Sequence, residues 1–186
     1  LVWLFMRRSN TIASDLIASE ARARHLAFHD TLTGLPNRAM MFDRLGQLLA
    51  MSRRYAGEMA VHCLDLDRFK EVNDTLGHHA GDELIQQVGR RLTELCRDSD
   101  TVARLGGDEF VILQPEADGT GASHLAQRVL KLFETPFELE AGVVEVGVSI
   151  GVTLVSNPEI EPAEALRQAD LALYGCKENG RNRVTF

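Results

Sequence analysis

The chain has 186 residues, 45% hydrophobic and 25% charged, which suits one well-buried domain with an appendage. Its formal net charge of -7 argues against a general nucleic-acid binder, but not against an anionic small ligand held through a divalent ion and a few placed cations. Cys63, Cys96 and Cys176 are odd in number and far apart in apolar runs or helical faces, so they predict small core residues of a reduced, cytosolic domain rather than a disulfide or zinc framework.

The chain opens on Leu1, and Leu1 to Met6 is an unbroken apolar run followed by Arg7 and Arg8. The run is too short to span a bilayer, which takes about 20 residues. It fits the last turns of a membrane helix with a cytoplasmic basic flank, or a chance apolar run. Ile12, Leu16, Ser19, Ala23 and Leu26 then form a weak heptad seam. It predicts a connecting helix able to pair with its own copy, or an ordinary amphipathic helix packed on the domain.

Asn37 to Ser52 places Met41, Phe42, Leu45, Leu48 and Leu49 on one helical face, after the turn signals Gly34 and Pro36-Asn37. Met59 to Leu66 reads as a buried strand, and Leu84, Ile85, Val88, Leu92, Leu95 and Cys96 mark a second helix. A hairpin covers about residues 101 to 114. Ala122, Leu125, Ala126, Val129, Leu130 and Phe133 form a third helical face ended by Pro136. Val144, Val146, Val148, Ile150, Val152 and Leu154 alternate with smaller or polar residues, the period of a strand. A last helix carries Leu166, Ala169, Leu173 and Cys176 and ends near Gly180. There is no internal repeat or low-complexity tract.

Strand, helix, strand, strand, helix, strand is the split βαβ plan of ferredoxin-like folds, so the predicted class is α+β with helices flanking an antiparallel-type sheet. In that plan the first two strands run parallel with the third antiparallel between them, and crossovers are right-handed. The carboxyl end of the first strand, Asp65-Leu66-Asp67, therefore lies beside the central hairpin turn, Gly106-Gly107-Asp108-Glu109. The Gly-Gly pair supplies positive φ for the turn and lets backbone approach a ligand. Singly, Asp65, Asp67, Asp108 and Glu109 read as solvated turn residues; gathered at one edge, they repel one another unless a cation such as Mg²⁺ or Mn²⁺ sits among them.

Arg68 to Lys70 form the expected strand-to-helix loop, whose N–H groups can cradle phosphate oxygens. Asn73 and Asp82 offer the amide and carboxylate that read a guanine edge, because Asp82 can accept from N1 and N2 together. His78 by itself is more often a helix-start residue.

Six stretches in order now carry a resemblance: Asp30-Thr31-Leu32-Thr33-Gly34-Leu35-Pro36-Asn37-Arg38, Asp65 to Asp74, Gly77-His78 through Gly81-Asp82, Arg104 to Phe110, Ser149-Ile150-Gly151, and Ala169-Asp170 through Tyr174, Lys177 and Gly180-Arg181-Asn182-Arg183. Over about residues 28 to 186 the chain resembles the GGDEF family of diguanylate cyclases. The resemblance implies a fold akin to the nucleotide cyclase and polymerase palm, with residues 1–27 as a linker or signalling helix and 28–186 as the catalytic domain. It implies condensation of two GTP into cyclic di-GMP with release of pyrophosphate, in a homodimer whose two domains each bind one GTP.

By the same resemblance the metal ligands are Asp65, Asp108 and the Leu66 carbonyl, for Mg²⁺ or Mn²⁺. Substrate is held by Arg68, Phe69, Lys70, Asn73, His78 and Asp82, with Lys177 and Arg181 on the terminal phosphates. Asp108 or Glu109 helps remove the attacking hydroxyl proton, and Lys70 offsets leaving-group charge. Arg97 and Asp100, with Arg128 from the neighbouring helix, match the family's product-inhibition site for cyclic di-GMP; a charged helix exit is the plainer reading of Arg97. The rival from another class is a catalytically silent receptor that only binds cyclic di-GMP. Such receptors usually lose the turn acids, which this chain keeps. The implied location is a cytoplasmic domain, belonging to an inner-membrane protein if the opening apolar run ends a membrane helix.

Overall fold

The computed structural model describes residues 25–55, 57–157 and 159–186. Most of the expected linker, with Ile12, Leu16, Ser19 and Ala23 of the heptad, lies outside the described residues; residues 25–28 are helical, and Leu26 is exposed. No helix among the described residues is long and apolar enough to cross a membrane.

The apolar run Met59–Leu66 forms β1, at the centre of a five-stranded sheet. β1 pairs antiparallel on one side with β3 (Glu109–Pro115) and on the other with β6 (Val148–Val155). β2 (Thr101–Gly106) pairs antiparallel with β3, so β1 and β2 run parallel with β3 between them, as the split βαβ plan requires. β7 (Val184–Thr185) adds a short parallel edge beside β6.

Alternation along the strands sends side chains to two cores, one on each face of the sheet. Ala60, Leu64, Phe110, Ile112, Ile150 and Val152 face α3 (His78–Leu95) and α4 (Gly119–Leu132). Met59, Val61, Cys63, Val111 and Leu113 face α1 (Arg38–Tyr55) and α5 (Pro162–Glu178). The spacing of Met41, Leu45 and Leu49 brings one stripe of α1 against the second core, and each is essentially inaccessible to solvent. Truncating such a leucine to alanine costs about 2–5 kcal/mol. Gly151 is where α5 lies flush on β6: a Cβ there would collide with the Ala169 carbonyl and the Leu173 backbone.

The three thiols are core residues, as expected: Cys63 and Cys176 are buried and Cys96 is half-buried. Burial first, then nearby acids, pushes Cys63 up and Cys96 up to about 12, so both stay protonated thiols.

Three features depart from the sequence expectation. Phe69–Leu76 is a separate helix, α2, so Phe69 and Lys70 belong to a first helical turn and only Arg68 remains in the connection. Gly77, at φ 86, separates α2 from α3. The strand expected from Val144 to Leu154 is broken at residues 145–147, where the Gly147 carbonyl accepts from the Asp67 N–H at 2.9 Å. Val144, its first residue, instead ends a hairpin of β4 (Phe137–Leu139) and β5 (Gly142–Val144). That hairpin is fastened to α3: Arg91 donates to the Thr135 and Pro136 carbonyls at 2.8 and 2.7 Å and lies 3.9 Å over the Phe137 ring.

Candidate active site

The site begins where β1 ends. In the ladder Asp65 stands opposite Glu109 of β3 and Ser149 of β6, and the Leu66 N–H donates to the Asp108 carbonyl at 3.3 Å. The topology thus brings Asp65, Leu66, Asp108 and Glu109 to one sheet edge. Gly106 and Gly107 take φ of 144 and 52, the backbone that their missing side chains permit, and the pairing shifts between Arg104 and Gly106.

Asp65 is half-buried, and its carboxyl sits above the usual carboxylate range. Burial is the main cause, the Asp108 and Asp67 charges add to it, and the Lys177 hydrogen bond opposes it. Lys177, on the last turn of α5, reaches across to place Nζ 2.7 Å from Asp65 Oδ2. Among the described residues no three His, Cys, Asp or Glu side chains gather as a ready metal cluster. The donor set at the edge is two carboxylates and the end of a strand backbone. Hard oxygen ligands around mutually repelling acids fit a divalent cation that shares its coordination with a ligand.

The turn is braced from outside. Arg104 donates through Nε and Nη2 to the Gly107 carbonyl at 3.1 and 2.8 Å, and through Nη1 to both carboxylate oxygens of Asp30 at 2.9 Å. Its backbone N–H donates to the Pro36 carbonyl at 2.9 Å. Burial alone would raise Asp30, but bonds from Thr33 and Arg104 outweigh it and hold the carboxyl below its ordinary value. Sequence reasoning included Asp30 and Arg104 in its motifs without assigning them this task.

The other expected residues fall into two groups around this edge. Arg68 is exposed in a left-handed conformation at φ 60, and it shares a pocket of about 420 Å³ with Asp67, Glu71, Gly147, Arg181 and Asn182. Lys70 is exposed on α2. Asn73, half-buried on α2, lies against Gly81 of α3 together with Phe69. A Cβ at Gly81 would overlap the Asn73 amide, so the glycine makes the slot that the amide occupies. Exposed Asp82 follows directly, and exposed His78 opens the same helix. Asp67 does not join the other acids as a free carboxylate: it accepts from Ser149 Oγ at 2.7 Å and from the Asn182 N–H at 2.9 Å.

Arg97 and Asp100 stand apart, at the exit of α3. The Arg97 N–H donates to Asp100 Oδ2 at 2.9 Å, and the Asp100 N–H donates to the Arg97 carbonyl at 3.0 Å, closing a tight turn. Both line a cavity of about 430 Å³ whose opposite wall is α1, with Met40, Arg44 and Gln47. Arg128 is not in that lining; its Nη2 donates to the Leu95 carbonyl at 2.7 Å.

Residues 27–183 match the family described as the diguanylate cyclase GGDEF domain. The bifunctional diguanylate cyclase/cyclic di-GMP phosphodiesterase MucR of Pseudomonas aeruginosa is 38% identical over 179 residues, covering 96% of this chain and 26% of MucR. The diguanylate cyclase TpbB of the same organism is 39% identical over 181 residues, covering 92% of this chain and 42% of TpbB. The chain therefore spans less than half the length of these curated relatives. A solved structure of the TpbB GGDEF domain superposes with a TM-score of 0.80 at 39% identity, covering 84% of this chain and 92% of that one. The coiled coil and GGDEF domain of DgcB from Caulobacter crescentus, solved in complex with c-di-GMP, gives a TM-score of 0.88 at 27% identity, covering 97% of this chain and 96% of that one.

Proposed function

The chain belongs to the GGDEF family of diguanylate cyclases, and from that premise we propose that it condenses two GTP molecules into cyclic di-GMP, releasing pyrophosphate. The observation that carries this reading is the acid edge itself: Asp65 opposite Glu109, with Leu66 bonded to Asp108 and Lys177 held to Asp65.

Asp65, Asp108 and the Leu66 carbonyl would hold Mg²⁺ or Mn²⁺, which supplies charge neutralisation and polarisation of the phosphoryl oxygens when bound. Arg68, Lys177 and Arg181 bind the phosphates, Phe69 and Lys70 start the helix beside them, and Asn73, His78 and Asp82 receive the guanine. The 3′-oxygen of one GTP attacks the α-phosphorus of the other while the bond to the β-phosphate oxygen breaks. Asp108 or Glu109 takes the hydroxyl proton, and Lys70 offsets charge on the departing pyrophosphate. Positioning and electrostatics carry such chemistry, and repeating it across a twofold closes the ring.

One domain presents half of this arrangement, so the active species is a homodimer. Residues 1–27, acting as a linker that pairs with its own copy, would raise the effective concentration of the two domains, and the placement is cytoplasmic. Cyclic di-GMP bound at Arg97 and Asp100, with Arg128 nearby, provides feedback inhibition.

The test is incubation with GTP and Mg²⁺ over a range of protein concentrations, with mass identification of the product. Cyclic di-GMP and pyrophosphate are expected, with specific activity falling on dilution below the dimerisation constant. No turnover together with retained cyclic di-GMP binding would give the silent receptor instead. A cyclic mononucleotide product would overturn the condensation.

A further inference from the structure

Asp67 is nine-tenths buried, and its N–H and both carboxylate oxygens are committed to chain distant in sequence. Its N–H donates to the Gly147 carbonyl, Oδ1 accepts from Ser149 Oγ and Oδ2 accepts from the Asn182 N–H. Gly147 is part of the fit: a Cβ there would stand 3.0 Å from Asp67 Oδ2 and 3.1 Å from Asn182 Oδ1. The segment that Asp67 grips is unusual. Gly180, Arg181 and Asn182 have consecutive φ values of 107, 59 and 46. Two of the three are non-glycine residues in a left-handed backbone, which persists only where the surroundings enforce it. The residue following Asp67, Arg68, is left-handed as well, at φ 60. Arg68 and Arg181 are thus carried by two strained turns on either side of one buried carboxylate, and both line the same pocket of about 420 Å³.

We infer that Asp67 is a positioning residue: it locks the left-handed 180–182 turn to the end of β1, so that Arg181 is aimed with Arg68 at the β- and γ-phosphates of GTP. This rests on the reading of Arg181 as a phosphate ligand. A carboxylate has two acceptor oxygens for its two donors, and the methyl group of Asp67→Ala has none; an amide would not break the tether, because its NH₂ could donate to Ser149 Oγ while its oxygen kept the Asn182 N–H. The loss is therefore selective for the part of the nucleotide that Arg181 touches.

The experiment compares Mg²⁺-dependent binding of GTP and of GMP to the whole chain, wild type and variant, with thermal melting alongside. Asp67→Ala is expected to weaken GTP at least tenfold and to leave GMP within twofold. Arg181→Ala is expected to do the same, and the double variant to lose no more than either single one, as coupled residues do. If Arg181→Ala leaves GTP binding unchanged, the phosphate assignment fails and takes the inference with it. If Arg181→Ala weakens GTP but Asp67→Ala does not, or weakens GTP and GMP alike, the positioning role alone is overturned. Should Asp67→Ala not fold, Ser149→Ala removes only the Oδ1 partner. A several-fold loss confined to GTP then supports the inference, and an equal loss of both nucleotides, or no loss, overturns it.

Discussion

Arg104 and Asp30, 74 residues apart, form a two-oxygen ion pair at 2.9 Å, with side chains only 12% and 19% exposed. Because the same guanidinium also holds the Gly107 carbonyl, the pair ties the loop entering the domain to the turn that carries Asp108. Removing one partner strands the other charge largely away from water. Arg104→Ala is expected to lower stability by about 2–4 kcal/mol in urea unfolding and to reduce GTP turnover more than tenfold. Arg104→Lys keeps the charge without the planar fork and should recover little of the turnover. Activity that survived Arg104→Ala would mean that the turn holds its shape unaided.

Gly81→Ala tests the slot beside Asn73. The added methyl must displace the amide or the adjoining Phe69 ring, while stability changes little because α3 gains a better helix former. Steady-state kinetics should show KM for GTP raised roughly tenfold, the scale of losing one hydrogen bond to the base. An unchanged KM would remove Asn73 from the guanine contacts.

Arg97→Ala tests the separate cavity at the α3 exit. The expected result is at least a tenfold rise in the cyclic di-GMP concentration that halves activity, with a matching loss of affinity in calorimetry. Arg44→Ala, on the opposite wall of that cavity, is expected to act in the same direction and more weakly. Inhibition untouched by Arg97→Ala would leave its turn with Asp100 as a charged helix exit alone.

His62 provides a pH dependence outside the site. It is buried at the centre of the sheet, where Nε2 donates to Gln114 Oε1 at 3.0 Å, and burial pushes the imidazole down to about 4 despite that bond. The unfolded chain, with an ordinary histidine near 6.5, binds the extra proton first. Stability is therefore complete above pH 6.5 and is lost as the pH falls from 6.5 towards 4. Urea unfolding should show about 2 kcal/mol less stability at pH 5 than at pH 7 from this group. His62→Gln should remove that difference, and an equal pH dependence in the variant would assign it to other residues.

The strand and helix order was legible because each long element carries an apolar period, as in Met41, Leu45 and Leu49 or Leu84, Ile85, Val88 and Leu92. α2 escaped because it is only eight residues long, too short for the spacing of Phe69, Val72 and Leu76 to stand out from the polar run around it. The break before β6 escaped because Val144, Val146 and Val148 keep their alternation through it; the interruption comes from the Asp67 bond to Gly147. The acid edge was legible from a turn signal combined with topology. The work of Asp67 was not, since its contact with Asn182 spans 115 residues and neither position is marked by local pattern.

The two margins of the sheet have a consequence for how copies of the chain can meet. β7 is two residues long, and the backbone of β2 is already engaged at Arg104 by the Pro36 carbonyl. Neither offers the long row of unpaired N–H and C=O groups through which sheets extend from one molecule into the next. Among the described residues, these two margins are thus poor sites for strand addition between copies. Two copies that approach each other are left to meet through side chains, and an encounter of that kind can be reversed and regulated.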